Sequence, residues 1–289
     1  MFAIIGFIIV IGSIAFGNIL GGGDFKTLWQ PGEFLIILGS AFGTLFIANK
    51  RTDVISTLTH IPIIFRGPKY KSKDFTELLC LLFTFFKLAK TKGDLALESH
   101  VEDPKESSIF SEYPKVIANH EARDFICDYL RLLTIGANNP NETCDIMDAD
   151  IEAFEHELHT MPSALQVVAD AMPALGIVAA VLGVIHTMGA INEPPEILGH
   201  LIGAALVGTF CGVLAAYGFV GPIASGMAAS LHSEIDYIKC IKAGIIAHMS
   251  GYAPQVSVEF ARKVIAPDTR PSFTEVDEAI ANISIGGNK

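Results

Sequence analysis

Residues 171–192 read AMPALGIVAAVLGVIHTMGAIN, a stretch broken by no Asp, Glu, Lys or Arg. A helix of about 20 apolar residues crosses the roughly 30 Å of bilayer hydrocarbon, so this segment predicts a membrane span. Its one ionisable side chain is His186. Three more stretches share the pattern. Residues 197–233 are uncharged apart from their histidines, and as one helix would reach about 55 Å, across a bilayer and beyond it. Residues 1–23 carry no charge. Residues 34–49 form a shorter run between Glu33 and Lys50, so its ends are expected in the interface. A fifth apolar run, residues 78–86, would be about 13 Å long as a helix, too short to cross. It predicts a buried helix of a domain outside the membrane, or one packed at its surface. The first segment lacks the basic start and small-residue cleavage site of a secretory signal, and is expected to stay as an uncleaved helix.

The composition agrees with a membrane protein. Hydrophobic residues make up 51% of the 289 and charged ones 18%, against about a quarter charged in soluble domains. Of the 20 Lys and Arg residues, all but Lys26 fall in residues 50–131 and 239–289. Basic residues close to span ends stay in the cytoplasm. Lys50, Arg51, Arg66, Lys69, Lys71 and Lys73 therefore predict that the long loop and both termini are cytoplasmic. The formal charge of −11 argues against a nucleic-acid partner. The five cysteines form no C-x-x-C pair, which fits free thiols rather than a zinc site or a disulfide frame.

These readings predict an all-α integral membrane protein with four transmembrane helices and a large helical cytoplasmic domain. The expected division is a first span at 1–23, a periplasmic loop at 24–33 and a second span at 34–50. A cytoplasmic helical domain at 51–165 leads to a third span at 166–192. A periplasmic loop at 193–197, a fourth span at 198–224 and a cytoplasmic tail at 225–289 complete the chain. Within the domain, residues 120–136 place Phe125, Ile126, Tyr129, Leu130 and Leu133 on one helical stripe, with Asp124, Asp128 and Arg131 on another face. Gly136 and the turn residues 138–141 end that helix. Residues 148–159 predict a solvated acidic helix. Pro162 is expected to break the chain, with Ser163 capping the third span.

The third and fourth spans are dense in small residues: Gly176, Ala179, Ala180 and Gly183 in one, and Gly199, Gly203, Gly208 and Gly212 in the other. Such residues let helices pack closely in lipid. They fit either packing within the chain or a lining shown to another chain. Each span also holds a proline, Pro173 or Pro222, which marks either a static kink or a hinge. An ion carrier normally needs an ionisable group at membrane depth. No carboxylate lies within the four apolar stretches, so a conducting role requires a partner to bring one. Asp170 sits at the mouth of the third span, and Thr209 and Tyr217 add hydroxyls on the fourth. No H-E-x-x-H, G-x-S-x-G or P-loop occurs, and Ser225 and His186 lie on different spans, so an enzyme is not expected. No cofactor or metal site is expected either.

Residues 171–183 (AMPALGIVAAVLG), 208–212 (GTFCG) and 217–222 (YGFVGP) resemble the third and fourth membrane helices of the MotA family of flagellar stator subunits. Residues 97–104, 124–131, 251–254, 258–263 and 270–273 resemble its cytoplasmic and C-terminal motifs. The resemblance implies five A subunits around two MotB-like B subunits, each with one membrane helix bearing an aspartate. It implies proton passage coupled to rotation, with Pro173 and Pro222 coupling, Thr209 facing the aspartate, and Asp170 and Tyr217 at channel positions. It implies contact with the rotor protein FliG through Glu98 and either Lys90 or Lys92, and recruitment around the rotor through Asp150. Sodium-driven relatives carry Thr where this chain has Ala179 and Ala180, which favours protons over sodium. Membrane lipids are the other expected partner. An ExbB or TolQ energiser, or a non-conducting scaffold, is the alternative reading.

Overall fold

The computed structural model describes residues 2–67, 69–137 and 139–283, and leaves the side chains of Phe2 and Arg66 undescribed. Met1 of the first predicted span, Asn138 of the predicted turn and residues 284–289 of the tail lie outside the described residues. Helices and turns account for the described chain, with no strand among those residues. Four helical segments are long and apolar enough to cross a membrane: Ala3–Leu20, Phe25–Ala48, and stretches within Pro140–Gly189 and Pro195–Met249. Between the second and third lies a large helical segment.

The helices divide between two compact units, residues 1–67 with 157–230, and residues 68–156 with 231–289. The first unit contains α1 (Phe2–Leu20), the short α2 (Phe25–Leu28), α3 (Pro31–Ala48), α4 (Arg51–His60) and α5 (Ile63–Arg66). The second half of α11 (Pro140–Gly189), α12 (Pro195–Leu214), a π-helical turn (Ala215–Val220) and the start of α13 (Gly221–Met249) complete it. Ala41 and Leu45 of α3 pack with Val54 of α4, Ala164, Val168 and Met172 of α11, and Ala216. A second cluster joins Ile37 of α3 to Ala179 of α11 and Val207 and Cys211 of α12. Outward faces of these helices expose Ile, Val, Leu and Phe, as expected where lipid or other chains replace water.

Two expectations are corrected here. The predicted loop at 24–33 holds α2 and the first turn of α3, because Pro31 occupies an N-terminal helix position where its missing N–H is no loss. Glu33 is therefore inside a helix rather than beyond its end. Pro162 does not break the chain, since α11 runs through it. An interior proline costs about 3 kcal/mol, but Met161, Ala164, Leu165 and Val168 around it are buried, and their packing offsets that cost. Ser163 is consequently no cap; its hydroxyl lies 3.3 Å from His159 Nδ1, one turn back.

The second unit is built on α6 (Ser72–Lys92), whose Leu78, Leu79, Leu81, Leu82, Phe85 and Phe86 are fully buried. The fifth apolar run is thus a core helix. It carries the 3-10 turn Asp94–Leu97 and the short helices α7 (Glu98–Glu102), α8 (Ser108–Ser111) and α9 (Pro114–Ala118). α10 (His120–Thr134) buries the predicted stripe, including Ile126 and Leu130. From the tail, α14 (Pro254–Val264) and α15 (Phe273–Ala281) pack on α6. Motif residues 258–263 and 270–273 form a clasp. The Arg262 guanidinium donates to both Glu259 carboxylate oxygens at 2.7 Å and to the Pro271 carbonyl at 2.9 Å. That pairing holds Glu259 below the usual carboxylate range. Ser272 caps α15 by accepting from the Glu275 N–H at 3.2 Å.

Candidate functional site

The predicted small-residue faces meet inside the first unit, where α11 and α12 cross backbone to backbone. A Cβ on Gly212 would lie 2.7 Å from the Met172 carbonyl oxygen and 2.8 Å from Gly176 Cα. A Cβ on Gly176 would meet the Gly208 oxygen at 2.9 Å and Thr209 Cα at 3.4 Å. These contacts decide the open question for four of the glycines: Gly176, Gly183, Gly208 and Gly212 pack within the chain. Gly199 has nothing within 4 Å. Thr209 and Ala180 therefore flank one crossing, Ala179 is fully buried in it, and Thr209 and Ala180 stay half-buried at its margin.

At the other end of this helix pair, Met172 and Ala216 share a core cluster, which sets Pro173 beside the π-helical turn. Pro222 follows that turn. A helical residue at 222 would donate to the Gly218 carbonyl, and proline cannot. The chain widens instead, and the Gly221 N–H donates to the Ala216 carbonyl, five residues back. Single π turns of this kind recur at functional sites. Tyr217 projects from the turn with 70% of its surface exposed. Asp170 is exposed and accepts from Gln166 Nε2 at 2.8 Å. Along the pair, the predicted channel residues fall into two groups, Thr209 and Ala180 beside the glycines of the crossing and Asp170, Pro173, Tyr217 and Pro222 at its Met172 end.

One residue escaped the sequence reading. The Glu33 carboxyl reaches the crossing itself: a Cβ on Gly208 would lie 2.8 Å from Glu33 Oε2, and one on Gly183 would lie 3.4 Å from Oε1. Oε2 is sealed from solvent and has no hydrogen-bond partner. The expectation that no carboxylate lies at span depth is thus overturned. A Glu beside an apolar run reads as a boundary; the signal that would have placed it inside is Pro31, two residues earlier, as a helix start.

In the second unit, α6 ends at Lys92, and Gly93 turns the chain with φ 86. Lys90, Lys92 and Glu98 cluster around that turn, all exposed, and none is in an ion pair among the described residues. Asp150 lies elsewhere in this unit. Its carboxylate accepts from the Tyr129 hydroxyl at 3.0 Å and lines a cavity with Glu121, Asp124 and Asp128. Burial, with the Asp150 charge beside it, pushes the Tyr129 hydroxyl up. All five cysteines are free, and no group of three His, Cys, Asp or Glu that would hold a metal occurs among the described residues.

Residues 4–93 match the motility protein A N-terminal family, and residues 117–239 the MotA/TolQ/ExbB proton channel family. The chain is 38% identical over 280 residues to motility protein A of Escherichia coli (strain K12), covering 97% of this chain and 95% of that one. The chain belongs to the motility protein A family. It is also 35% identical over 265 residues to chemotaxis protein LafT of Vibrio parahaemolyticus, covering 92% and 93% of the two chains. Among solved structures, the fold is similar to that of C. jejuni MotAB, with a TM-score of 0.75 at 21% identity over 93% of this chain and 98% of that one. It is also similar to the flagellar MotAB stator complex from Bacillus subtilis, with a TM-score of 0.65 at 24% identity over 89% and 92%. Family membership and the four apolar helices make this a protein of the bacterial inner membrane.

Proposed function

We propose that this flagellar stator subunit supplies the wall and the moving part of a proton-driven motor, while a partner supplies the aspartate that carries the proton. The observation that supports this reading is the α11–α12 pair. It is locked glycine to glycine at one level and broken by Pro173, the π turn and Pro222 at another. Close backbone packing makes the pair stiff where Thr209 and Ala180 flank it, and the prolines concentrate bending at one end. Large apolar residues remain exposed on both helices, among them Ile177, Val181 and Ile185 of α11 and Leu206, Phe210 and Val213 of α12. Further copies, the partner's helix and lipid would cover them.

In this reading five copies surround two MotB-like subunits, each with one membrane helix. Both termini and the second unit are cytoplasmic, and the loops at 24–33 and 193–197 are periplasmic. A proton binds the partner's aspartate beside Thr209, and its passage rotates the ring, with flexure at Pro173 and Pro222. Asp170 and Tyr217 stand on the cytoplasmic side of that path. Ala179 and Ala180 offer no side-chain oxygen, whereas sodium requires several, which supports protons. Lys90 or Lys92, with Glu98, pushes on charged residues of FliG, and Asp150 guides assembly around the rotor. No catalytic role is proposed. A span count of four, rather than the three typical of ExbB and TolQ energisers, supports the stator over that alternative.

Because Lys90 and Glu98 are in no ion pair among the described residues, reversing both charges (Lys90→Glu with Glu98→Lys) leaves the fold intact and opposes the rotor's charges. Like charges brought together across an interface cost several kcal/mol. Swimming is expected to fail while membrane levels stay normal, and reversing the facing rotor charges is expected to restore it. Normal swimming by the doubly reversed chain, with no other stator present, would remove the rotor-contact assignment.

A further inference from the structure

Glu33 is the acidic side chain that the glycine-to-glycine packing of α11 and α12 meets among the described residues, at Gly183 and Gly208, and the stator reading gives it no role. Its depth follows from the helices that it touches. Gly183 is six residues from the end of α11 at Gly189, about 9 Å along the helix axis. Gly208 is thirteen residues from the start of α12 at Pro195, about 20 Å along it. The carboxyl thus sits below the ends of both neighbouring helices, although Glu33 itself belongs to the first turn of α3. It faces Gly183 and Gly208, which in turn pack against Ala205, Ala179 and the Ala180 backbone.

Other titratable groups on the elements packed around it do not neutralise it. α12 carries Glu196, His200 and Cys211, α11 carries Glu157, His159, Asp170 and His186 within this unit, and α2 carries Lys26 with Asp24 as its cap. None forms an ion pair or hydrogen bond with Glu33 among the described residues. Glu33 as a whole is half-buried, but its Oε2 is sealed without a donor, and an unpartnered buried carboxylate oxygen favours the protonated form. Here the small residues matter twice. They let the helices touch, and they leave room for a carboxyl but offer it no donor.

We infer that Glu33 is a second proton-binding site, belonging to this chain rather than to its partner, loaded from the side where α2 and α3 begin. The proton adds to the carboxylate oxygen, giving a neutral carboxylic acid that fits against Gly208. Loss of the proton restores the charge and pushes α3 off the crossing. Each turnover of the site therefore couples a proton to the packing of the helices that flank Thr209. The inference rests on the stator reading for its role, but not for its chemistry.

Infrared difference spectroscopy on the purified complex of this chain with its B subunit, in lipid vesicles, tests it. A carboxylic-acid carbonyl band is expected at neutral pH, fading as pH rises. Its Glu33 component should be lost in Glu33→Gln, which keeps the shape of the protonated side chain and leaves only the partner aspartate's component, and should be insensitive to exchange of sodium for potassium. An unchanged spectrum in Glu33→Gln overturns the inference. If that variant does not assemble, a complex whose partner aspartate is replaced by Asn decides: absence of any carboxylic-acid band there across the pH range overturns it. A band that responds to sodium instead would assign the site to a metal cation and overturn it too. The readout needs no motility, so failure of the stator reading, seen as a chain that cannot restore swimming, is separately visible.

Discussion

A Pro222→Ala chain is expected to reach the membrane, bind its partner and leave cells unable to swim. Alanine restores the backbone donor that proline lacks and removes the ring that crowds the Gly218 carbonyl. The widened turn at Ala215–Val220, where the Gly221 N–H reaches five residues back, then has no reason to persist. The difference between proline and alanine in a helix interior is about 3 kcal/mol, enough to shift a balance between bent and straight helix more than about 100-fold. A hinge that no longer bends is stable and inert. Membrane quantity and recovery with the B subunit should match wild type, while rotation of tethered cells should cease. Wild-type rotation would show that the π turn is only a static kink.

Gly212→Val is expected to act differently, by removing the protein. Its Cβ would meet the Met172 carbonyl and Gly176 Cα below 3 Å, and both are backbone atoms that cannot swing aside. The helices must separate, which forfeits the Gly176–Gly208 contact next to it. Overpacking of this kind costs about 1–3 kcal/mol or more, a large share of ordinary stability. The chain should be degraded, with loss of both membrane protein and motility, and Gly212→Ala should follow in milder form. Gly199→Ala is the control: nothing lies within 4 Å of that position, so protein level and swimming should be unaffected. Equal levels of Gly212→Val and Gly199→Ala in membranes would refute the crossing.

The four apolar helices were legible because about 20 residues without charge have few other uses. The stripe on α10 was legible too, since Ile126, Leu130 and Leu133 recur at helical spacing. Glu33 was not, because a sequence shows where charge stops an apolar run but not whether a helix starts before it. Pro162 misled for a related reason: its local penalty is visible in the sequence, and the buried Met161 and Leu165 that offset it are visible only in three dimensions. The glycines were identified as packing residues, yet only the crossing separates Gly212, which touches backbone, from Gly199, which touches nothing. Functional roles at Lys90, Glu98 and Asp150 came from family resemblance. The structure adds that the first two are in no ion pair among the described residues and that Asp150 is already engaged by Tyr129.

The central claim is that this subunit converts a proton gradient, rather than a sodium gradient, into rotation. Its most direct test is the swimming speed of a strain lacking all stators and complemented with this chain and its B subunit, as the two gradients are varied independently. Speed should fall to zero when the proton gradient is collapsed and should not change when sodium is withdrawn. Speed that follows external sodium and survives loss of the proton gradient would contradict the account.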